Sequence, residues 1–218
     1  MLFRSGIGEA IADVHLEQEQ VESVDHFKFL GSEVESNGRL DIELRARIGK
    51  AAGAFGQLSR LWNSRVSLKC KLRIYSAIVI STLLYAAETW ATTLTEERRL
   101  DAFDTRCLRR ILRVRWYHRV RNTEIRRRTN QSPPSLLLKV RRLRWFGHVS
   151  RMDQDRLPRR LLHWRPESVG GKRKQGRARV RWMDVVRRDA AAAGITGDLE
   201  EAAADRVGWR RMLALMMS

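Results

Sequence analysis

The chain has 218 residues, 43 Lys+Arg against 25 Asp+Glu for a net charge of +18, and 43% hydrophobic residues, with a sequence pI near 11.3. That length admits one large domain or two small ones, and the charge favours nucleic acid as partner before an anionic membrane surface. Two cysteines, Cys70 and Cys107, stand far apart with no CxxC, which excludes a disulfide framework and places each in a reduced, intracellular helix core. The longest nearly uncharged run, 74–87, is shorter than the roughly 20 residues of a membrane span. The N-terminus has no sustained apolar region and no small-residue cleavage site, so a secretory signal is not expected.

Residues 13–34 read as extended structure, with Val14, Leu16, Val21, Val24, Phe27, Phe29, Leu30 and Val34 β-compatible and Asn37-Gly38 supplying a turn. The period then changes. Leu44, Ile48, Ala51, Phe55, Leu58 and Trp62 recur at three- and four-residue spacing, one apolar stripe along a helix. A second helix is predicted over 68–90, apolar on most sides after Arg73, as a central buried helix would be. A third begins at Thr93, where Glu96 completes a capping-box pattern, and buries Leu100, Phe103, Cys107, Leu108 and Ile111. The three make one bundle.

Beyond Val114 the pieces shorten and the charge climbs. A helix of one to two turns is predicted at 123–128, a break at Pro133-Pro134, and a helix over 135–151 with Leu136, Leu137, Val140, Leu143 and Phe146 inside. Pro158 interrupts the next segment, and 166–175, with paired glycines and clustered cations, reads as a linker or mobile loop. A helix over 179–193 stops at Gly194, and Asp198 with Glu201 starts a last one running toward Met212. The fold class is mainly α with a short N-terminal β-hairpin.

Between Arg106 and Arg188 there are 27 Lys+Arg against 5 Asp+Glu, whereas both ends of the chain are acidic. Phosphate backbones reward cations clustered in this way through counterion release. Arg109, Arg110, Arg113 and Arg115 lead into Trp116-Tyr117, followed by Arg119, Arg121, Arg126, Arg127 and Arg128. Guanidinium groups fork onto phosphate oxygens and stack on bases, and interspersed aromatics give single strands stacking platforms. RRLRWFGHVSRM at 141–152 adds Arg141, Arg142 and Arg144. Its echo GRARVRW at 176–182 again sets tryptophan among arginines, and Trp145 and Trp182 are expected to be packing anchors. Lys172, Arg173, Lys174, Arg177 and Arg179 are the strongest electrostatic candidates. Such runs also serve as nuclear targeting signals, so an intracellular, nuclear or nucleocytoplasmic location is expected. His118, His148, His163 and Cys107 lack the close pairing of a structural zinc site, so no metal ligands are assigned. No Ser-His-Asp set, Gly-rich phosphate loop or tight carboxylate dyad is visible, and no catalytic residue is assigned.

Seven boxes follow one another: FKFLGS at 27–32, RARIGKAAGAFGQLSRLW at 45–62, KLRIYSAIVISTLLYAAETW at 71–90, CLRRILRVRW at 107–116, then RRLRWFGHVSRM, GRARVRWMDVVRRD and DRVGWRR. In this order, over roughly residues 20–212, the chain resembles the C-terminal part of non-LTR (LINE-type) retrotransposon endonuclease–reverse transcriptases. Ala178 departs from that pattern, which usually has proline after Gly-Arg.

The resemblance implies an end-of-palm hairpin remnant at 1–38, a thumb-like three-helix bundle at 39–114, and a basic, Arg-rich short-helix region at 115–218 with a loop at 166–178. FKFLGS matches the primer grip, which makes Phe29, Leu30 and Gly31 its contact residues. Arg45, Arg47 and Lys50, on the solvent side of the first thumb helix, would meet phosphates of a template–primer duplex. The family polymerises with an aromatic-x-Asp-Asp turn and an earlier aspartate that hold two divalent metals. No Asp-Asp pair occurs in this sequence. The expectation is therefore a fragment that binds RNA and/or DNA, needs no cofactor of its own (Mg2+ belongs to the complete enzyme), and partners the palm of a complete polymerase but no membrane. The alternatives are part of an active reverse transcriptase whose palm lies upstream, or a non-catalytic basic RNA-scaffold protein.

Overall fold

A computed structural model of the chain describes residues 2–3, 15–16, 19–20, 23–35, 40–164 and 180–217. The 166–175 segment and the Asn37-Gly38 turn lie outside these residues. Among the described residues of 13–34 the extended reading is realised as short strands. Leu2–Phe3 (β1) pairs in parallel with Ser23–Val24 (β4), and His15–Leu16 (β2) pairs antiparallel with Glu19–Gln20 (β3). A longer antiparallel hairpin joins His26–Phe29 (β5) to Ser32–Glu35 (β6), in register His26↔Glu35 to Phe29↔Ser32. Its two-residue turn is Leu30-Gly31, both at positive φ (47° and 85°). This is the turn geometry that matches strand twist, and glycine adopts it without steric cost.

The rest is helical. Asp41–Gln57 (α1) carries Asp41 and Glu43 in its first turn, where negative charge complements the helix dipole. It buries Leu44, Ala51 and Phe55 along the predicted stripe. A short helix, Ser59–Asn63 (α2), then seats Trp62, whose indole N–H donates to the Phe55 carbonyl at 2.8 Å and whose ring stacks on Phe55 at 5.0 Å. The predicted 68–90 helix is not continuous. It runs as Leu68–Ile74 (α3), a π-helical turn at Tyr75–Ile80, and Ser81–Leu83 (α4). The chain then bends at Ala86 (φ 55°) into a 3-10 turn at Ala87–Thr89. Leu94–Ile111 (α5) opens with the expected capping box: Thr93 Oγ1 accepts from Glu96 N–H, and Glu96 accepts from Thr93 N–H at 2.7 Å. The five core residues expected of it are all buried.

These elements share one core: Leu44, Phe55, Trp62, Tyr75, Val79, Leu83, Leu100 and Leu108 at its centre, extended by Ile125 and Leu138. Ile125 comes from Asn122–Thr129 (α6), and Leu138 from Pro134–Ser150 (α7), with proline in its first turn, where a missing N–H is harmless. From Val140 onward α7 faces a second core. Leu143, Phe146 and Val149 pack there with Leu162, with Val186 and Ala190 of Trp182–Ala192 (α9), with Ala203 of Leu199–Ala204 (α10), and with Trp209 and Leu213 of Arg206–Leu215 (α11). A five-residue helix, Leu157–Leu161 (α8), lies between α7 and α9 in sequence. The single helix expected after Asp198 is two, because Asp205 turns the chain and caps α11, accepting from Val207 and Gly208 N–H at 3.0 Å each. No described helix is long and apolar enough to cross a membrane.

Candidate nucleic-acid interface

The box RRLRWFGHVSRM falls on α7, and the fold uses most of it for packing. Arg142 is fully buried against Asp189 of α9, also fully buried, and donates to the Trp90 carbonyl at 3.1 Å and to Thr92 Oγ1 at 2.8 Å. Burial pulls the Arg142 guanidinium down from its usual pKa, and the Asp189 carboxylate opposes that pull. Arg188, beside Asp189 in the WMDVVRRD box, pairs with the buried Glu97 of α5 and donates to the Thr92 carbonyl. Gly147 lies under the Trp209 ring, and a Cβ there would sit 2.4 Å from the indole nitrogen. That nitrogen donates to the Leu143 carbonyl at 3.1 Å. Trp182 donates to the Glu88 carbonyl at 2.8 Å and Trp145 packs on the second core, so both are anchors. Arg141 donates to the Leu84 carbonyl. Of the three arginines expected to bind nucleic acid in this box, Arg144 alone is exposed.

The hairpin and the start of α1 come together. Arg47 is not on the solvent side. It is 5% exposed, ion-paired to Glu43 at 2.7 Å, and donates to the Gly31 carbonyl at 2.8 Å. Its guanidinium covers the Tyr85 ring at 4.4 Å, and the Tyr85 hydroxyl donates to the Leu30 carbonyl. Glu43 also accepts from Glu33 N–H at 2.6 Å. The pair thus pins the hairpin to the bundle, with Phe29 and Leu30 projecting into solvent. Arg45 and Lys50 are exposed, and Lys50 reaches the Gly31 carbonyl at 3.5 Å.

The candidates from Arg109 to Arg121 surround the C-terminal end of α5. A groove of about 1220 Å³ is lined by Asn63, Val114, Trp116, Val120 and the arginines 106, 109, 110, 113, 115, 119 and 121. Two of these arginines frame it. Arg109 donates to the Val120 carbonyl and to Asn122, and Arg113 to the Asn63 carbonyl. Arg110 lies over the Phe55 ring at 5.8 Å. Arg106, Arg110, Arg115, Arg119 and Arg121 are exposed and have no carboxylate partner among the described residues. Arg106 was missed in the sequence reading, although its four-residue spacing to Arg110 puts both on one face of α5.

On α6 the picture changes. Arg126 turns inward to Asp104, which also accepts from the Tyr75 hydroxyl at 2.6 Å. Burial raises the pKa of that carboxyl, against the pull of Tyr75 and Arg126. Arg127 and Arg128 both clasp Glu124 at 2.7 Å, and their hydrogen bonds hold the Glu124 carboxyl down at about 2. Lys172, Arg173, Lys174, Arg177 and Arg179 lie outside the described residues.

The two metals implied by the resemblance find no fit here, since no group of three or more His, Cys, Asp or Glu among the described residues could hold a metal ion. In comparisons with known proteins, no family model matches the chain and no solved structure matches it. The chain is 27% identical over 201 residues to an uncharacterised transposon-derived protein of Caenorhabditis elegans, across 87% of this chain and 70% of that protein. That distant similarity suggests a transposon origin.

Proposed function

We propose that this chain is the thumb and basic C-terminal region of a LINE-type reverse transcriptase, or a derivative of it, and that it binds RNA or DNA through the phosphate backbone. Two supports are the order of the seven boxes and the similarity to a transposon-derived protein. The observation that carries the reading is the groove at the end of α5, where arginines gather with no carboxylate in the lining. Like charges held together in this way repel one another, and a polyanion relieves that repulsion while releasing its own counterions. In a chain that also carried the palm, this surface would hold template and primer. The end-of-palm hairpin, thumb-like bundle and basic-region division of the sequence belongs to the same proposal.

Binding of labelled RNA and DNA across a salt series tests it. Affinity is expected to fall with salt at a log-log slope of roughly 0.7–0.9 per phosphate contacted. Replacing Arg106, Arg110 and Arg121 together by alanine is expected to flatten that slope by about 2, with unfolding midpoints unchanged. Affinity indifferent to salt would sink the proposal.

A further inference from the structure

We infer that the groove at the end of α5, with the turn at its rim, takes an unpaired polynucleotide strand, its bases stacked on Trp116 of the lining and on the neighbouring Tyr117 and its phosphates held by Arg106, Arg110, Arg115 and Arg119. This deepens the proposed nucleic-acid binding and rests on it.

The aromatic pair makes the distinction. Trp62 and Trp209 are buried, as large apolar rings usually are, but Trp116 is 87% exposed and Tyr117 58% exposed. Neither ring is spent on a core or on a side-chain hydrogen bond among the described residues. They occupy a 3-10 turn at Trp116–His118 whose flanks are fixed. Arg113 and Arg119 hold left-handed φ values of 57° and 50°, and the Arg115 N–H donates to His118 Nδ1 at 3.2 Å. Arg113 on the Asn63 carbonyl and Arg109 on Val120 tie both ends of the turn to the bundle. The rings are therefore displayed before any ligand arrives, which lowers the ordering cost of binding.

Phosphate contacts alone would suit duplex and single strand equally. Stacking does not, because bases in a duplex already cover one another and offer a face only at the ends. The two rings lie 5.8 Å apart at 79°, so successive bases must splay to meet them, which only an unpaired strand does cheaply. The dimensions agree. About 1220 Å³ exceeds the roughly 300–1,000 Å³ of usual small-molecule sites, and an arginine-rich lining without carboxylates suits a run of phosphates.

The full chain is titrated with labelled oligouridylate, oligothymidylate and a hairpin duplex, each of about 20 nucleotides so as to exceed a single-groove footprint. Single strands are expected to bind tighter than the duplex. Trp116→Ala combined with Tyr117→Ala is expected to weaken single-strand binding roughly 5- to 150-fold per lost stack. Duplex affinity and salt slope should be unchanged, and Trp116→Phe should keep most of the affinity. Both side chains are exposed, so circular dichroism should report an intact fold. A preference for either sugar identifies the natural strand, and both results support the inference. Wild-type single-strand affinity in the double variant, or equal loss on the duplex, overturns it while leaving salt-dependent binding intact. Failure of the wild-type chain to bind any of the three would sink the broader proposal too.

Discussion

Around α7 and α9, Arg142 and Arg188 each meet a carboxylate inside the fold, Asp189 and Glu97, and Arg159 of α8 pairs with the part-exposed Glu200 of α10. Along the end of α5 and the turn after it, Arg106, Arg110, Arg115, Arg119 and Arg121 meet none among the described residues. The two regions look alike in sequence, since both string arginines between apolar residues and tryptophans. The position of the carboxylates separates them. No acidic residue occurs from Arg106 to Arg121, whereas Glu97 and Asp189 are buried where the two cores meet and oblige arginines to come in with them. A buried charge is tolerated only when paired and hydrogen-bonded, so one region spends its arginines on assembly and the other presents them to solvent.

The largest effect expected from this comparison is at the buried pair. Arg142→Ala takes from the buried Asp189 the closer of its two guanidinium partners, leaving only Arg188 at 3.3 Å, and is expected to cost up to about 3–5 kcal/mol in denaturant unfolding. Replacing both partners by apolar residues of similar volume, as in Arg142→Met with Asp189→Leu, is expected to recover most of that loss. A single Arg142→Ala variant as stable as the parent would show that the ion pair does not hold the two cores together. Next is Gly147→Ala. Its Cβ must displace the Trp209 ring and its hydrogen bond to Leu143, at an expected cost of about 1–3 kcal/mol by the same measurement. Neither change should alter the salt slope of nucleic-acid binding at a temperature where the variants stay folded.

What could be read from the sequence divides along a similar line. The Thr93–Glu96 box, the stripe from Leu44 to Phe55, and the core face of α5 depend on residues three or four apart, and the structure has them as expected; the helix of that stripe breaks at Leu58, so Trp62 sits on α2 and not on one continuous helix. The break after Leu83 was not legible, because the apolar run continues to Trp90. The bend at Ala86 is set by contacts with α7, among them Arg142 on the Trp90 carbonyl, 52 residues away. The buried position of Arg47 had a local signal in Glu43, four residues earlier, but its second partner, Gly31, comes from the hairpin. The Asp205 break was marked by Gly208, since a Cβ at that residue would sit 2.3 Å from the capping carboxylate. The basic groove was legible as a run of arginines. Which arginines stay outside was not, because their would-be partners are set by tertiary contacts.

Glu124 offers the mildest and most direct test of the rule that carboxylates decide where arginines go. It stands on the basic side of the molecule, and Arg127 and Arg128 fold onto it at 2.7 Å each. Their hydrogen bonds keep it ionised down to about pH 2, so the clasp persists at any working pH. Glu124→Gln removes the charge with little change in size. Both guanidinium groups, in the last turn of the helix that Arg121 caps, are then available to phosphate. The salt slope is expected to steepen by up to roughly 0.7–0.9 for each phosphate newly contacted, with affinity rising most at low ionic strength. An unchanged slope would mean that Arg127 and Arg128 stay off the strand even when released. The interface would then stop at the Trp116 turn instead of continuing along α6.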